Sequence, residues 1–215
     1  GLPAEGAVLF EDAPFAPRGW EAFRFGDENR RLTPNFTTLE KVYTDDAGTA
    51  RFTVDFPERA RPRAAVRMVV QGSVFESGGR PASARASTLL HAYPYYIGVA
   101  LPDTIRESPT PRHCRVVLVN PDGTPHVGAR RLVAQFERVD SVYELKKTES
   151  GCWEWRTERI RFPLGEEVVL EVSEKGLATL AVPATAGGDF AVTVRDEETD
   201  VSFGASYWVG GADDT

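Results

Sequence analysis

Cysteine is scarce in this sequence: Cys114 and Cys152 are the only two in 215 residues. Two thiols are too few for a disulfide framework or for a zinc site built from thiolates. They permit one disulfide, Cys114 to Cys152, and equally two separate thiols, since no spacing rule brings them together. Histidine is as thin. His91, His113 and His126 are scattered, without the spacing of metal ligands, and each reads as a surface or turn residue. Positive charge is in deficit, with 25 Lys+Arg against 32 Asp+Glu and a net charge of −7. Binding to nucleic acid would need a basic face. No apolar run approaches the roughly 20 residues of a membrane span. A Gly-x-Ser-x-Gly elbow, a phosphate-binding loop and a His-Glu-x-x-His helix are all missing. No catalytic residue, no metal ligand set and no cofactor site is readable. The acidic pairs Glu166-Glu167 and Glu197-Glu198 read as solvated turn residues, because a calcium loop needs oxygen ligands at defined alternate positions.

Turn formers are plentiful. Nineteen Gly and fifteen Pro break up long helices and suit short strands joined by tight turns. A hydrophobic content of 41% supplies packed cores. Period-two alternation recurs along the chain. In Ala50-Arg51-Phe52-Thr53-Val54-Asp55-Phe56, the residues Ala50, Phe52, Val54 and Phe56 share one face. Arg115-Val116-Val117-Leu118-Val119 is more continuous, as in a strand covered on both sides. Further strands are expected at 7–11, 37–43, 64–75, 82–91, 95–100, 131–138, 152–160, 167–172, 177–182, 189–195 and 201–209. Turn signals separate them, among them Asp46-Ala47-Gly48, Ser77-Gly78-Gly79-Arg80-Pro81, Pro121-Asp122-Gly123 and Ala186-Gly187-Gly188. Short strands with turns at this density predict an all-β chain of antiparallel sandwiches.

An internal repeat sets the organisation. Gly1-Leu2-Pro3-Ala4-Glu5-Gly6-Ala7 and Gly123-Thr124-Pro125-His126-Val127-Gly128-Ala129 both read Gly-x-Pro-x-x-Gly-Ala. Asp46-Ala47-Gly48-Thr49-Ala50-Arg51-Phe52-Thr53-Val54 and Glu174-Lys175-Gly176-Leu177-Ala178-Thr179-Leu180-Ala181-Val182 both read acidic-x-Gly-x-Ala-x-hydrophobic-x-Val. The first motif leads the second by 47 residues in one copy (Gly1 to Gly48) and 53 in the other (Gly123 to Gly176). A two-strand hairpin follows each. Two copies of one fold are expected, covering 1–94 and 95–215. Charge changes at the same place: residues 1–94 carry 12 basic and 12 acidic side chains, and 95–215 carry 13 and 20. Tyr93-Pro94-Tyr95-Tyr96 reads as the linker, with Tyr93, Tyr95 and Tyr96 packing between the sandwiches. The second copy has a strand, His113–Asn120, ahead of its Gly-x-Pro turn. The first copy begins at that turn, so the first domain is expected to lack its opening strand.

At these residues the chain resembles a known family. The stretches Gly1–Ala7, Phe23-Arg24-Phe25-Gly26-Asp27, Gln71-Gly72-Ser73-Val74-Phe75-Glu76-Ser77-Gly78-Gly79-Arg80-Pro81 and Ser206-Tyr207-Trp208-Val209-Gly210-Gly211 are similar to the macroglobulin-like domains of bacterial alpha-2-macroglobulins. Glu-Ser-Gly-Gly-Arg-Pro after an apolar strand is the most specific of them. The resemblance implies two consecutive macroglobulin-like, fibronectin III-like domains just before the bait region of a protease-trapping parent. In such a trap, a protease cuts the bait region, the trap changes shape, and a thioester elsewhere captures the attacker. The resemblance further implies a periplasmic parent, often lipid-anchored. The partners it implies are the other domains of the parent chain and, through the whole parent, proteases.

Gly151-Cys152-Trp153-Glu154-Trp155 looks superficially like that family's thioester signature, Gly-Cys-x-Glu-Gln. The acyl group of a thioester comes from the Gln, and Trp155 stands in its place and cannot be acylated. The residues read instead as a hairpin strand with Trp153 and Trp155 on one face. The expected role is that of a non-catalytic structural fragment. A carbohydrate-binding or adhesin-like sandwich is the alternative, which exposed aromatics in a groove would favour.

Overall fold

The computed structural model describes residues 1–57, 60–76, 78–148 and 150–211. Among these the regular structure is all strand. In chain order the strands are β1 (Pro3–Ala13), β2 (Arg24–Phe25), β3 (Asn35–Thr38), β4 (Val42–Tyr43), β5 (Ala65–Phe75), β6 (Pro81–Leu90), β7 (Tyr96–Val99), β8 (Thr104–Arg106), β9 (Arg112–Val119), β10 (Arg130–Lys147), β11 (Trp153–Pro163), β12 (Val168–Val172), β13 (Leu177–Val182), β14 (Gly188–Asp196) and β15 (Ser202–Gly210). The expected turn Ser77–Pro81 includes Ser77, and the segment Thr148–Gly151 includes Glu149; Ser77 and Glu149 lie outside the described residues.

The chain divides into two compact units. One consists of Gly1–Phe15 with Asn29–Pro94, the other of Ala16–Glu28 with Tyr95–Thr215. A single cut at residue 94 therefore misses an exchange: residues 16–28 group with the second unit. The two short strands β2 and β8 also escaped the period-two reading, because two or three residues are too few to display a period.

In the first unit, one antiparallel sheet runs β3-β1-β5-β6, with β4 also on β1. Val8, Phe10 and Val66 bury their side chains on its inner face, with Leu32 beside them and Met68, Val70 and Leu90 packed against the cluster. The layer that covers this face is residues 50–56. The expected alternation is realised there: Phe52, Val54 and Phe56 are half-buried, while Arg51, Thr53 and Asp55 are exposed. The Phe56 ring meets Phe10 edge-on at 5.4 Å between centroids. Yet 50–56 joins no ladder, which corrects the expectation of a strand. An extended segment becomes a strand only when a neighbour takes up its N–H and C=O groups. Its repeat counterpart in the second unit, β13, has such a neighbour in β9. Among the described residues, 50–56 has none. A cavity of about 510 Å³ opens beside the segment, between Phe10, Phe52, Phe56, Met68 and Leu90.

The second unit has both layers. One sheet runs β11-β10-β14-β15-β8, with β12 also on β10; the other runs β13-β9-β7-β2. Among the described residues the strand pairings are antiparallel except β15 with β8, and an isolated bridge from Asp27 to Gly204 is also parallel. Leu132, Ala134, Phe136, Val192, Val194, Phe203 and Ala205 from the first sheet, and Ile97, Val99, Val116, Leu118, Leu180 and Val182 from the second, are buried almost completely. Each such branched or aromatic side chain contributes about 1.5–3 kcal/mol by leaving water.

The repeat is visible in atomic detail at one turn. Asp45 donates N–H to Thr49 O, and Gly48 donates to Asp45 O, both at 2.9 Å. In the second unit, Ser173 donates to Leu177 O at 2.9 Å and Gly176 to Ser173 O at 2.8 Å. Both glycines are left-handed, with φ of 78° and 72°. Their surroundings differ. A Cβ on Gly48 would meet nothing within 4 Å, whereas one on Gly176 would lie 2.2 Å from the His126 carbonyl oxygen. Gly48→Ala should cost only the left-handed strain, about 1–2 kcal/mol. Gly176→Ala should cost clearly more, because the 126–128 backbone must also move. Urea unfolding of the two variants checks this, and equal losses would show that the close approach contributes nothing.

Candidate functional site

The two cysteines stand apart in the fold. Cys114 is buried on β9, and Cys152 is exposed just before β11; both are free thiols. Burial pushes the Cys114 thiol up, with Arg112 opposing weakly. Among the described residues no group of three His, Cys, Asp or Glu side chains could hold a metal ion. Trp155, at the position a thioester would need for Gln, is largely exposed on β11.

The three tyrosines near residue 94 are all buried. Tyr93 belongs to the first unit, where its hydroxyl donates to Pro62 O at 2.7 Å and accepts from Arg30 Nη1 at 3.0 Å. Tyr96 opens β7 of the second unit and pairs with Val119. Tyr95 is the centre of a small buried polar cluster in that unit. Its hydroxyl donates to Asp196 Oδ2. Asp196, 3% exposed, also accepts from Glu198 N at 2.8 Å. The His126 ring stacks on the Tyr95 ring at 4.3 Å, and Arg130 approaches its face at 5.9 Å. His126 Nδ1 meets Asn120 Oδ1 at 2.8 Å, while His126 Nε2 and Arg130 Nε are buried without a hydrogen-bond partner. Burial, reinforced by the bond to Asp196, pushes the Tyr95 phenol up to about 12. Burial, with Arg130 nearby, holds the His126 imidazole below its ordinary range. Such a cluster orders the strand ends it joins. It offers no nucleophile and base pair.

Two further features belong to the second unit. The first is residues 16–28, a strap that lies in sequence between β1 and β3. Within the second unit, β2 of the strap pairs with β7. Trp20 Nε1 donates to Gly123 O at 2.9 Å. Arg24 donates to Asp103 Oδ1 at 3.0 Å and Ser206 O at 3.1 Å. The buried Asp27 accepts from Ser202 Oγ. Gly98 allows the strap to lie close, since a Cβ there would fall 2.5 Å from the Phe25 ring.

The second feature is an arm. Beyond Val139, β10 and β11 leave the sheet and continue as a two-stranded hairpin, paired from Val139↔Arg161 to Lys147↔Trp153. Its outer half is exposed on both strands. Residues opposite one another share a face. Tyr143↔Thr157, Leu145↔Trp155 and Lys147↔Trp153 lie on one side; Val142↔Glu158, Glu144↔Arg156 and Lys146↔Glu154 lie on the other. Toward its tip the arm is thus aromatic on one face and charged on the other, while Val142 and Ile160 add exposed apolar side chains to the second face nearer the root. The sequence showed the Trp153/Trp155 face, but the arm's length was hidden, because a strand reading of 131–138 stopped where burial stops.

The chain can now be set beside known proteins. The family described as the Bacterial Alpha-2-macroglobulin MG5 domain matches residues 1–91, and the Bacterial macroglobulin domain 6 matches residues 102–210. Two curated proteins called alpha-2-macroglobulin, from Xylella fastidiosa strains 9a5c and Temecula1, are each 28% identical over 98% of this chain. The chain spans 13% of their length. Among solved structures, native Escherichia coli alpha-2-macroglobulin is similar with a TM-score of 0.65 at 19% identity. Salmonella alpha-2-macroglobulin reacted with methylamine gives 0.66 at 18%. Each covers 98% of this chain, which in turn covers 14% of theirs. At this identity the solved structures speak for the fold.

Two outcomes test the site as described. A thiol reagent should label one cysteine of the folded protein rapidly and the second only in denaturant, with peptide mapping assigning the fast thiol to Cys152. Two fast thiols would contradict the burial of Cys114. Acid should weaken the second unit. The folded state lowers the His126 pKa below the ordinary 6.5, so protons bind the unfolded chain more readily. The stability contributed by neutral His126 is therefore full above about pH 6.5 and is lost as pH falls through the lowered folded value. His126→Gln should flatten the fall in melting temperature of this unit between about pH 7.5 and pH 5. An unchanged slope would show that His126 does not carry it.

Proposed function

The chain belongs to the bacterial alpha-2-macroglobulin family, and we propose that it serves its parent as a non-catalytic structural segment of a protease trap. The observation that carries the reading is continuity: two macroglobulin domains, numbered 5 and 6, follow one another along this chain at 1–91 and 102–210. A segment of this kind forms part of the wall around a captured protease and passes on movement when the parent is cut. The second unit suits that work mechanically. Its two sheets share a packed core, and packed cores transmit displacement instead of absorbing it. The strap and the linker tyrosines tie the chain down at several points within each unit.

The chemistry of capture is assigned to other parts of the parent. A thioester needs a Gln three residues after its Cys, and Cys152 is followed at that distance by Trp155. The other thiol, Cys114, is buried at 2% exposure and has its acidity suppressed, which makes it a poor nucleophile. The reading also carries a location: a periplasmic parent, anchored by lipid to the inner membrane. Its partners are then the remaining domains of the parent and, through them, proteases.

The test uses this chain and its intact parent side by side. Each is incubated with a protease such as trypsin and run on a denaturing gel. This chain should yield no heat-stable covalent adduct. The parent-treated protease should lose activity on a large protein substrate while keeping it on a small peptide substrate, as an enclosed enzyme would. An adduct with the isolated chain would assign capture chemistry to these residues. A parent that leaves the protease fully active on large substrates would sink the trap reading.

A further inference from the structure

The strap and the arm occupy one position in the repeated fold. In the first copy, β1 runs through and beyond the Gly-x-Pro-x-x-Gly-Ala motif, and the chain then returns along β1 as β3 and β4. In the second copy, β10 follows the same motif, and the chain returns along β10 as β11 and β12. The connection between the outgoing strand and its return is therefore the same loop of the fold in both copies. In the first copy that loop carries residues 16–28, which belong to the second unit. In the second copy it carries the arm, residues 140–162.

We propose that the arm does for the second domain what the strap does for the first: it docks on the domain that follows in the parent polypeptide, through the face bearing Tyr143, Leu145, Trp153 and Trp155. Three observations point to this occupant. The first is position, since the equivalent loop of the preceding copy is built into the next domain along the chain. The second is composition. Tyr143, Trp153 and Trp155 are 69%, 64% and 72% exposed, on an arm whose opposite face pairs Glu144 with Arg156 and Lys146 with Glu154. Over the outer part of the arm, beyond Val142, one face is thus made for water and one for burial. Two-stranded hairpins are marginal alone, and this one extends several residue pairs beyond any third strand. The third is length: this chain is 13% of its curated relatives, so ample polypeptide remains to supply a partner domain.

The strap indicates the chemistry of the partner. It attaches through its aromatics, with Trp20 Nε1 on Gly123 O at 2.9 Å, Phe25 close against Gly98 and Arg115 over the Phe23 ring at 5.1 Å, by a short ladder on a sheet edge, and by Arg24 on the carboxylate of Asp103. The arm carries the same elements: aromatics, an extended outer edge on β11, and the cations Lys147 and Arg159 on its aromatic face. Its partner is thus a β-sandwich domain with an open sheet edge, an apolar patch and a carboxylate at the rim. The proposal rests on the family reading only in requiring a following domain.

Cys152, exposed where the turn at the arm's tip closes, is a natural reporter. Its alkylation rate, and hydrogen exchange over residues 140–162, are compared between this chain and the full-length parent. Docking predicts alkylation at least about tenfold slower in the parent, the equivalent of about 1.4 kcal/mol of protection, with slowed exchange along β11. The variant Tyr143→Ser/Trp153→Ser/Trp155→Ser should leave the melting temperature of this chain unchanged, since the three rings are exposed here. In the parent it should restore fast alkylation. Equal rates in chain and parent would overturn the proposal. So would protection with cross-links from Cys152 that map to a second copy of the parent, to a glycan, or to any domain other than the following one. A parent that traps protease normally while its arm stays fast would reject the docking and leave the trap reading standing.

Discussion

A β-sheet with one apolar face must bury that face under a second layer, and almost everything notable in this chain follows from how that requirement is met. The second unit meets it fully, with β13-β9-β7-β2 laid over β10-β14-β15 and a core of branched residues that are excluded from water. In the first unit the sheet β3-β1-β5-β6 is covered by residues 50–56, an extended segment with the right side chains and no ladder. The apolar contribution of Phe52, Val54 and Phe56 is partly present, since they are half-buried. The hydrogen-bonding contribution of a second sheet is not. The comparison separates two things usually seen together: side-chain alternation places a segment on a core, and a partner strand makes it β-structure.

The same requirement explains the strap and the arm. A loop long enough to leave its own sheet must find cover elsewhere for any apolar residue it carries. Trp20, Phe23 and Phe25 find it against the second unit, where Gly98 leaves room for Phe25 and Arg115 lies over Phe23 at 5.1 Å. The arm exposes comparable aromatics. Toward the tip its other face is charged, with Lys146 Nζ paired to Glu144 Oε2 at 2.9 Å and Arg156 and Glu154 standing opposite them across the hairpin. The asymmetry between the faces is what distinguishes an interaction device from an ordinary long hairpin.

Much of this was legible in the sequence, and the limits of legibility have physical causes. Strand β13 was read at 177–182, its observed span, because Leu180 and Val182 alternate with less hydrophobic neighbours and a glycine turn marks the start. The twofold organisation was legible because a left-handed glycine and a Gly-x-Pro turn are local constraints that survive divergence. The strap was not, because membership of a unit is decided by distant partners: nothing within residues 16–28 says that Trp20 will meet Gly123 or that Asp27 will meet Ser202. The buried cluster around Tyr95 was missed for the same reason. Tyr95, His126 and Asp196 are far apart in sequence; Tyr95 was read as packing between the domains, and neither His126 nor Asp196 alone signals burial. His126 was read as a turn residue, and its ring in fact stacks on a buried phenol.

The segment around Cys152 shows how context decides between chemistry and packing. Four residues there come close to a reactive signature, and one substitution, Trp155, removes the acyl donor. That tryptophan has a positive role in this fold. It pairs across the hairpin with Leu145 and lies on the same face as Trp153 and Tyr143. A glutamine at 155 would weaken that face, and a tryptophan there forbids the ester, so the position serves one purpose or the other. The exposed thiol fits the same account. It begins the return strand of the arm, its N–H donating to Thr148 Oγ1 at 3.2 Å in the closing turn. A cysteine so placed is held by backbone geometry, and the residue three positions on supplies no acyl partner.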